Sequence, residues 1–526
     1  MKTHAVTLYD TTLRAGAQGE GVTFSMEDML VLAKRLDQIG IHYIEGGWPM
    51  PTRAKDVEFF REARKLKLGH AKLVAFGSTR RARVAAAEDE GLKALLAAHT
   101  PAVAIFGKSW DLHVRDVLRV SLEENLEMIR DSVHVLKKAG REVVYDAEHF
   151  FDGFKGNSEY AVSTLLAARE AGADWLILCD TNGGVLPHEV REILEAVTPR
   201  LAAPFGIHVH NDGECGVANS VTAVRMGARQ VHGTINGYGE RCGNANLCSI
   251  IPNLKLKLGF DCVTDAQLKQ LRRLSLFVSE LATKPPRDEM AYVGASAFAH
   301  KAGVHIHAVE RNPKAYEHVD PEAVGNRRRI LVSDMSGLAT VRWKAEGYGL
   351  KLDKDDERSR KILAELKRLE AEGWQFEGAE ASFELLVHRV AHDHRPPFEL
   401  IDYRVAVQRR GAGEMVSEAT LKVRVDGTEE HTVAEGDGPV NALDKALRKA
   451  VGRFYPALAD VHLSDYRVRV VNPQAATAAR VRVQIESTDG TDVWSTVGVS
   501  SNIIEASWLA LADSVAFKLL RGRRKK

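Results

Sequence analysis

The segment HVHND at 208–212 places two histidines two residues apart, followed by an amide and a carboxylate. Side chains two apart on a β-strand share a face, so His208 and His210 can point into one space. Two neutral imidazoles there give a divalent ion two nitrogen donors, and carboxylate, amide or water oxygens can complete its shell. An H-x-H pair taken alone equally describes two hydrogen-bonded core histidines. Its place at the end of an apolar run, beside Asn211 and Asp212, favours ligands. Other polar residues follow similar runs: Asp10 and Arg14, Glu45, Glu148, Asp180 with Thr181, and Asn236.

Bringing these groups together requires the runs to be neighbouring strands. They are AVTLYD (5–10), HYIEGG (42–47), KLVAFG (72–77), AVAIFGK (102–108), EVVYDAE (142–148), WLILCD (175–180), FGIHVHN (205–211) and VHGTIN (231–236). Between them, SMEDMLVLAKRLDQIG, SLEENLEMIRDSVHVLKKAG and NSEYAVSTLLAAREAGA show helical spacing, a Ser or Asn start and a Gly near the end. Eight such units at roughly thirty-residue spacing predict a closed (β/α)8 TIM barrel over 1–263, with the polar residues gathered at its C-terminal mouth. The rival is an open doubly wound sheet, but no GxGxxG follows the first run.

DTTLRAGAQGEG (10–21), YIEGGWP (43–49), HVHND (208–212), GTINGYGERCGNANL (233–247) and AFAHKAGVH (297–305) together resemble the 2-isopropylmalate, homocitrate and citramalate synthases, nearest the citramalate branch. The resemblance spans nearly the whole chain. It implies a divalent metal (Mg, Mn or Zn), acetyl-CoA as co-substrate and a 2-oxo acid acceptor. In the citramalate branch that acceptor is pyruvate, and the product, citramalate, leads to isoleucine. The alternatives it leaves are 2-isopropylmalate or homocitrate synthesis, or a catalytically impaired effector-binding homologue. By the same resemblance His208, His210 and Asn244 hold the metal, and Arg14 stabilises the enolic oxygen. Thr181 and Gln18 meet the oxo acid, and His305 takes part in proton transfer. Apart from the resemblance, the strand-end carboxylates Glu148 and Glu45 are expected to line the oxo-acid pocket or orient a ligand, Glu148 as a catalytic group and Glu45 as a substrate-binding one. Such chemistry is coherent: a metal polarises the ketone, a guanidinium meets developing negative charge, and a base removes the thioester's α-proton.

One position departs from the pattern. The family arginine is followed by an acidic metal ligand, whereas here Arg14 precedes Ala15, whose methyl group cannot coordinate. Three outcomes stay open: water fills the gap, a carboxylate such as Asp10, Glu20 or Glu45 substitutes, or activity is altered or lost.

After the barrel, 264–395 reads as helical connector subdomains completing the active site. The 396–526 segment alternates like strands, with helices after the third and sixth runs. Two βββα units, each carrying DYRV (402–405 and 465–468), predict a duplicated α+β regulatory and dimerisation domain. The resemblance adds an isoleucine effector and a homodimer. Lys and Arg number 72 against 71 Asp and Glu, for a formal charge of +1. That balance lacks the broad positive field of nucleic-acid binding. Five cysteines, the absence of a signal-like start and the lack of a long apolar run predict a reduced, cytoplasmic protein without a membrane partner.

Overall fold

The computed structural model describes residues 5–392, 396–411 and 413–524. Two compact units emerge: 5–298 with 318–328, and 299–317 with 329–524, the second lacking the undescribed residues.

The first unit is built on eight parallel strands closed into a barrel: β1 (Thr7–Asp10), β2 (Tyr43–Gly47), β3 (Lys72–Ser78), β4 (Ala102–Lys108), β5 (Glu142–Glu148), β6 (Trp175–Asp180), β7 (Phe205–Val209) and β8 (Gln230–Gly233). Closure is made by β1 on β8, where Thr7 to Asp10 pair with Gln230 to Gly233. The helices begin where their caps predict. Ser25 accepts from the Asp28 amide, Ser121 from that of Glu124 and Asn157 from that of Tyr160. Gly140 then turns the chain at φ +75 after the helix Leu122–Lys138.

Strand parity sorts the barrel into two cores. Leu8, Ile44, Val103, Ile105, Val143, Tyr145, Leu176, Ile207 and Val231 pack with the surrounding helices. Tyr9, Tyr43, Val74, Phe76, Ala102, Ala104, Val144, Ile177 and Cys179 form a separate inner cluster. The inner parity therefore continues to Glu45 on β2, Asp146 and Glu148 on β5, His208 on β7 and His232 on β8. Asp10 and Asp180 have the outer parity.

The second unit contains helices Leu338–Gly347, Glu357–Ala371 and Glu380–His392, joined by a core that includes Val341, Ile362, Leu366 and Phe383. Two three-stranded antiparallel sheets follow. Strands Glu399–Arg410, Glu414–Val425 and Thr428–Gly436 precede helix Pro439–Val451. Strands His462–Val470, Val481–Thr488 and Val493–Ser500 precede helix Ile503–Arg524. This is the expected pair of βββα units. The register slips between Leu400 and Asp402 in one and between Leu463 and Asp465 in the other. The same irregularity therefore stands immediately before each DYRV copy.

Candidate active site

Arg14 leaves β1 on a turn and is fixed from two directions. Its Nε donates to Glu45 Oε1 at 2.5 Å, and its guanidinium lies 3.8 Å from the centroid of Phe76. The second Glu45 oxygen accepts from Tyr9 Oη at 2.6 Å. Glu45 is thus fully committed to orienting the arginine. Asp10 is not its partner: both Asp10 oxygens are taken by Thr12, from its amide at 2.9 Å and its hydroxyl at 2.7 Å. Burial raises the Asp10 carboxyl to about 7.

Arg14, Gln18, Glu148, Thr181, His208 and His210 line one cavity of about 220 Å³, together with Asp146, Cys179, Arg53, Glu240 and an aromatic wall of Trp48, Phe76 and Phe106. The wall rings pack at 5.5 to 5.9 Å between centroids. Glu148 is ion-paired with Lys108. Thr181 Oγ1 accepts from the His149 amide at 2.9 Å. The strand carrying the histidines ends at Val209, two residues earlier than its sequence pattern suggests. His210 is held instead by an antiparallel bridge to Asn244, and the neighbouring Ala245 amide bonds to Val209 O at 2.9 Å.

Burial lowers the proton affinity of both imidazoles. His208 falls well below its ordinary value through burial and then His232 and His210, while His210 falls to about 4 through burial and then the Arg241 and Arg14 charges. Both rings are therefore neutral donors near neutral pH. His210 Nδ1 and Asn244 Oδ1 are buried without a hydrogen-bond partner, as expected of groups awaiting a ligand. Ala15 is 2% exposed and contributes only a methyl group.

Asn244 borders an adjoining cleft of about 560 Å³ that also carries Glu20, Arg241, Lys284 and Arg287. His305 belongs to the second unit, on helix Gly303–Arg311, where it is exposed and stacked on Tyr316 at 4.2 Å. Sequence reasoning missed Asp146 and His232. Asp146 shares parity with Glu148 two residues later, and that spacing was an available signal.

The family model described as HMGL-like matches residues 5–278. The homocitrate synthase post-HMGL domain-like model matches 292–373, and the LeuA allosteric (dimerisation) domain matches 377–519. An (R)-citramalate synthase of Geobacter sulfurreducens is 56% identical over 98% of this chain and 97% of its own length. Its counterpart from Aquifex aeolicus is 54% identical over 98% of each. A probable 2-isopropylmalate synthase of Methanopyrus kandleri is 31% identical over 99% of each. The chain belongs to the HMGL-like family and, within it, to the citramalate synthases.

Proposed function

We propose that the chain condenses acetyl-CoA with pyruvate and hydrolyses the thioester, giving citramalate and CoA with one water consumed. The observation that carries this reading is the small cavity in which Glu45 holds Arg14 opposite two neutral histidines. Full-length kinship to (R)-citramalate synthases supports pyruvate as the acceptor and the R product.

The donor set fits a divalent ion, since it offers neutral imidazoles and orphaned buried acceptors. His208, His210 and Asn244 would hold it, and when bound it supplies Lewis acidity toward the keto acid. The chain's own groups do the rest. Thr181 and Gln18 meet the carboxylate, and Arg14 faces the oxygen on which negative charge develops. Trp48, Phe76 and Phe106 exclude water and limit the acceptor's side chain. His305, by resemblance, moves the proton. The adjoining cleft, with Lys284 and Arg287, suits the anionic co-substrate.

Each extra methylene against the aromatic wall changes discrimination by about 1–3 kcal/mol, so pyruvate should exceed 2-oxoisovalerate by tenfold or more in kcat/KM. CoA thiol release measured with pyruvate, 2-oxoisovalerate and 2-oxoglutarate checks this; preference for either larger acid refutes the acceptor. Ala15 favours a second reading, a barrel that binds effector without turnover. Absence of CoA release with all three acids at saturating Mn²⁺ would support it. The terminal domain's kinship to the LeuA allosteric domain supports feedback by isoleucine.

A further inference from the structure

Thr181 lines the small cavity, and its Oγ1 accepts from the His149 amide at 2.9 Å. A threonine hydroxyl has one hydrogen to donate and two lone pairs to accept with. With the amide on one lone pair, the hydrogen remains to be given, and no described residue accepts it. The backbone behind it is tied too. The Thr181 carbonyl accepts from Arg241 Nη2 at 2.8 Å, and Arg241 is fixed by both Asp212 oxygens, at 2.8 and 2.9 Å.

The residue that supplies the amide stands in an unusual conformation. His149 follows β5 with φ +57 and ψ +33, the left-handed region that a non-glycine residue occupies only when its surroundings hold it there. Its ring packs 4.2 Å from that of His113 and 5.8 Å from that of Trp110, and its Nδ1 faces Asp152 Oδ2 at 3.5 Å. The same Asp152 oxygen accepts from Asn182 Nδ2 at 2.9 Å, on the residue after Thr181. The helix Phe150–Gly156 has little room to shift, since a Cβ on Gly153 would lie 2.2 Å from Ser109 O. The ends of β5 and β6 are therefore joined twice, through the His149 amide and through Asp152.

We propose that His149, braced by Asp152, is a positioning residue that aims the Thr181 hydroxyl at the carboxylate of the 2-oxo acid. The inference rests on the reading above that Thr181 meets that carboxylate. His149 and Asp152 stand outside the cavity lining, so they reach the acceptor through Thr181. A misdirected hydroxyl weakens the hold on the acceptor and leaves the adjoining cleft unchanged. The effect therefore belongs in KM for pyruvate and not in KM for acetyl-CoA.

The test is a set of steady-state measurements on the full chain at saturating Mn²⁺. His149→Val removes the ring and, being β-branched, resists a positive φ, whereas His149→Asn tolerates that φ and keeps a donor for Asp152. We expect His149→Val to raise KM for pyruvate tenfold or more and His149→Asn to raise it less than threefold, with KM for acetyl-CoA within twofold in both. Asp152→Ala should raise KM for pyruvate about fivefold, and it carries the test if near-ultraviolet circular dichroism shows that His149→Val fails to fold. The deciding readout is a double-mutant cycle: in a Thr181→Val background, neither change should raise KM for pyruvate further. Persistence of either effect in that background, or equal losses in both KM values, overturns the proposal and leaves the role of Thr181 standing. An unchanged KM for pyruvate in Thr181→Val alone overturns the carboxylate reading itself, and the proposal with it.

Discussion

Arg14 presents its guanidinium to the cavity because Glu45 holds one edge and Phe76 supports its face. A lysine has neither the fork nor the plane, so Arg14→Lys should lower kcat about 10²–10³-fold, as removal of an oxyanion donor does. Steady-state kinetics with pyruvate measures it. Glu45→Gln breaks a buried pair, and its cost in urea unfolding should approach the roughly 3–5 kcal/mol typical of leaving a buried charge uncompensated. The pH effects of two buried groups oppose each other. His210 sits at about 4, so between there and its ordinary 6.5 the unfolded chain binds more protons, and its contribution to stability is lost as pH falls through that window. Asp10 is raised from 3.8 to about 7, so the folded state retains a proton that the unfolded chain releases, and stability falls as pH rises between those values. Asp10→Asn should therefore raise Tm relative to the parent more at about pH 8 than at about pH 4. Arg14 and the two histidines of HVHND were legible as chemistry because their types and spacing are unusual in a core. The pairing of Arg14 with Glu45 was not, because the two are 31 residues apart at adjoining strands and only the folded barrel joins them.

Among the elements, strand parity decides which polar residues can meet. The eight runs revealed the barrel, but reading FGIHVHN as one strand hid the bridge that holds His210 after Val209. That bridge depends on the 236–246 loop, whose shape is set by long-range hydrogen bonds and by Gly243 at φ +92. A Cβ at Gly243 would lie 2.0 Å from Gly237 O, so Gly243→Ala must displace the backbone beside Asn244. We expect thermal denaturation to show a drop in Tm, with a kcat loss of at least tenfold where Asn244 is misplaced. Alternation alone was enough to recognise the terminal strands, since each sheet buries one face. The shared register slip before each DYRV copy was invisible in four repeated letters and needed the paired strands.

At the scale of the whole molecule, the chain joins an HMGL-like barrel to a domain matched by the LeuA allosteric (dimerisation) model. Sedimentation equilibrium should accordingly give a particle of twice the 57.9 kDa chain mass. A mass equal to one chain at micromolar concentration would contradict dimerisation. No described helix is long and apolar enough to cross a membrane. The central claim is a condensation followed by hydrolysis, and it is tested most directly by the mass balance of a single reaction followed by nuclear magnetic resonance. With acetyl-CoA, pyruvate and the metal-loaded protein, one citramalate should appear for each CoA released and each pyruvate consumed. Release of CoA together with free acetate while pyruvate stays untouched, or no release at saturating metal, would contradict the account.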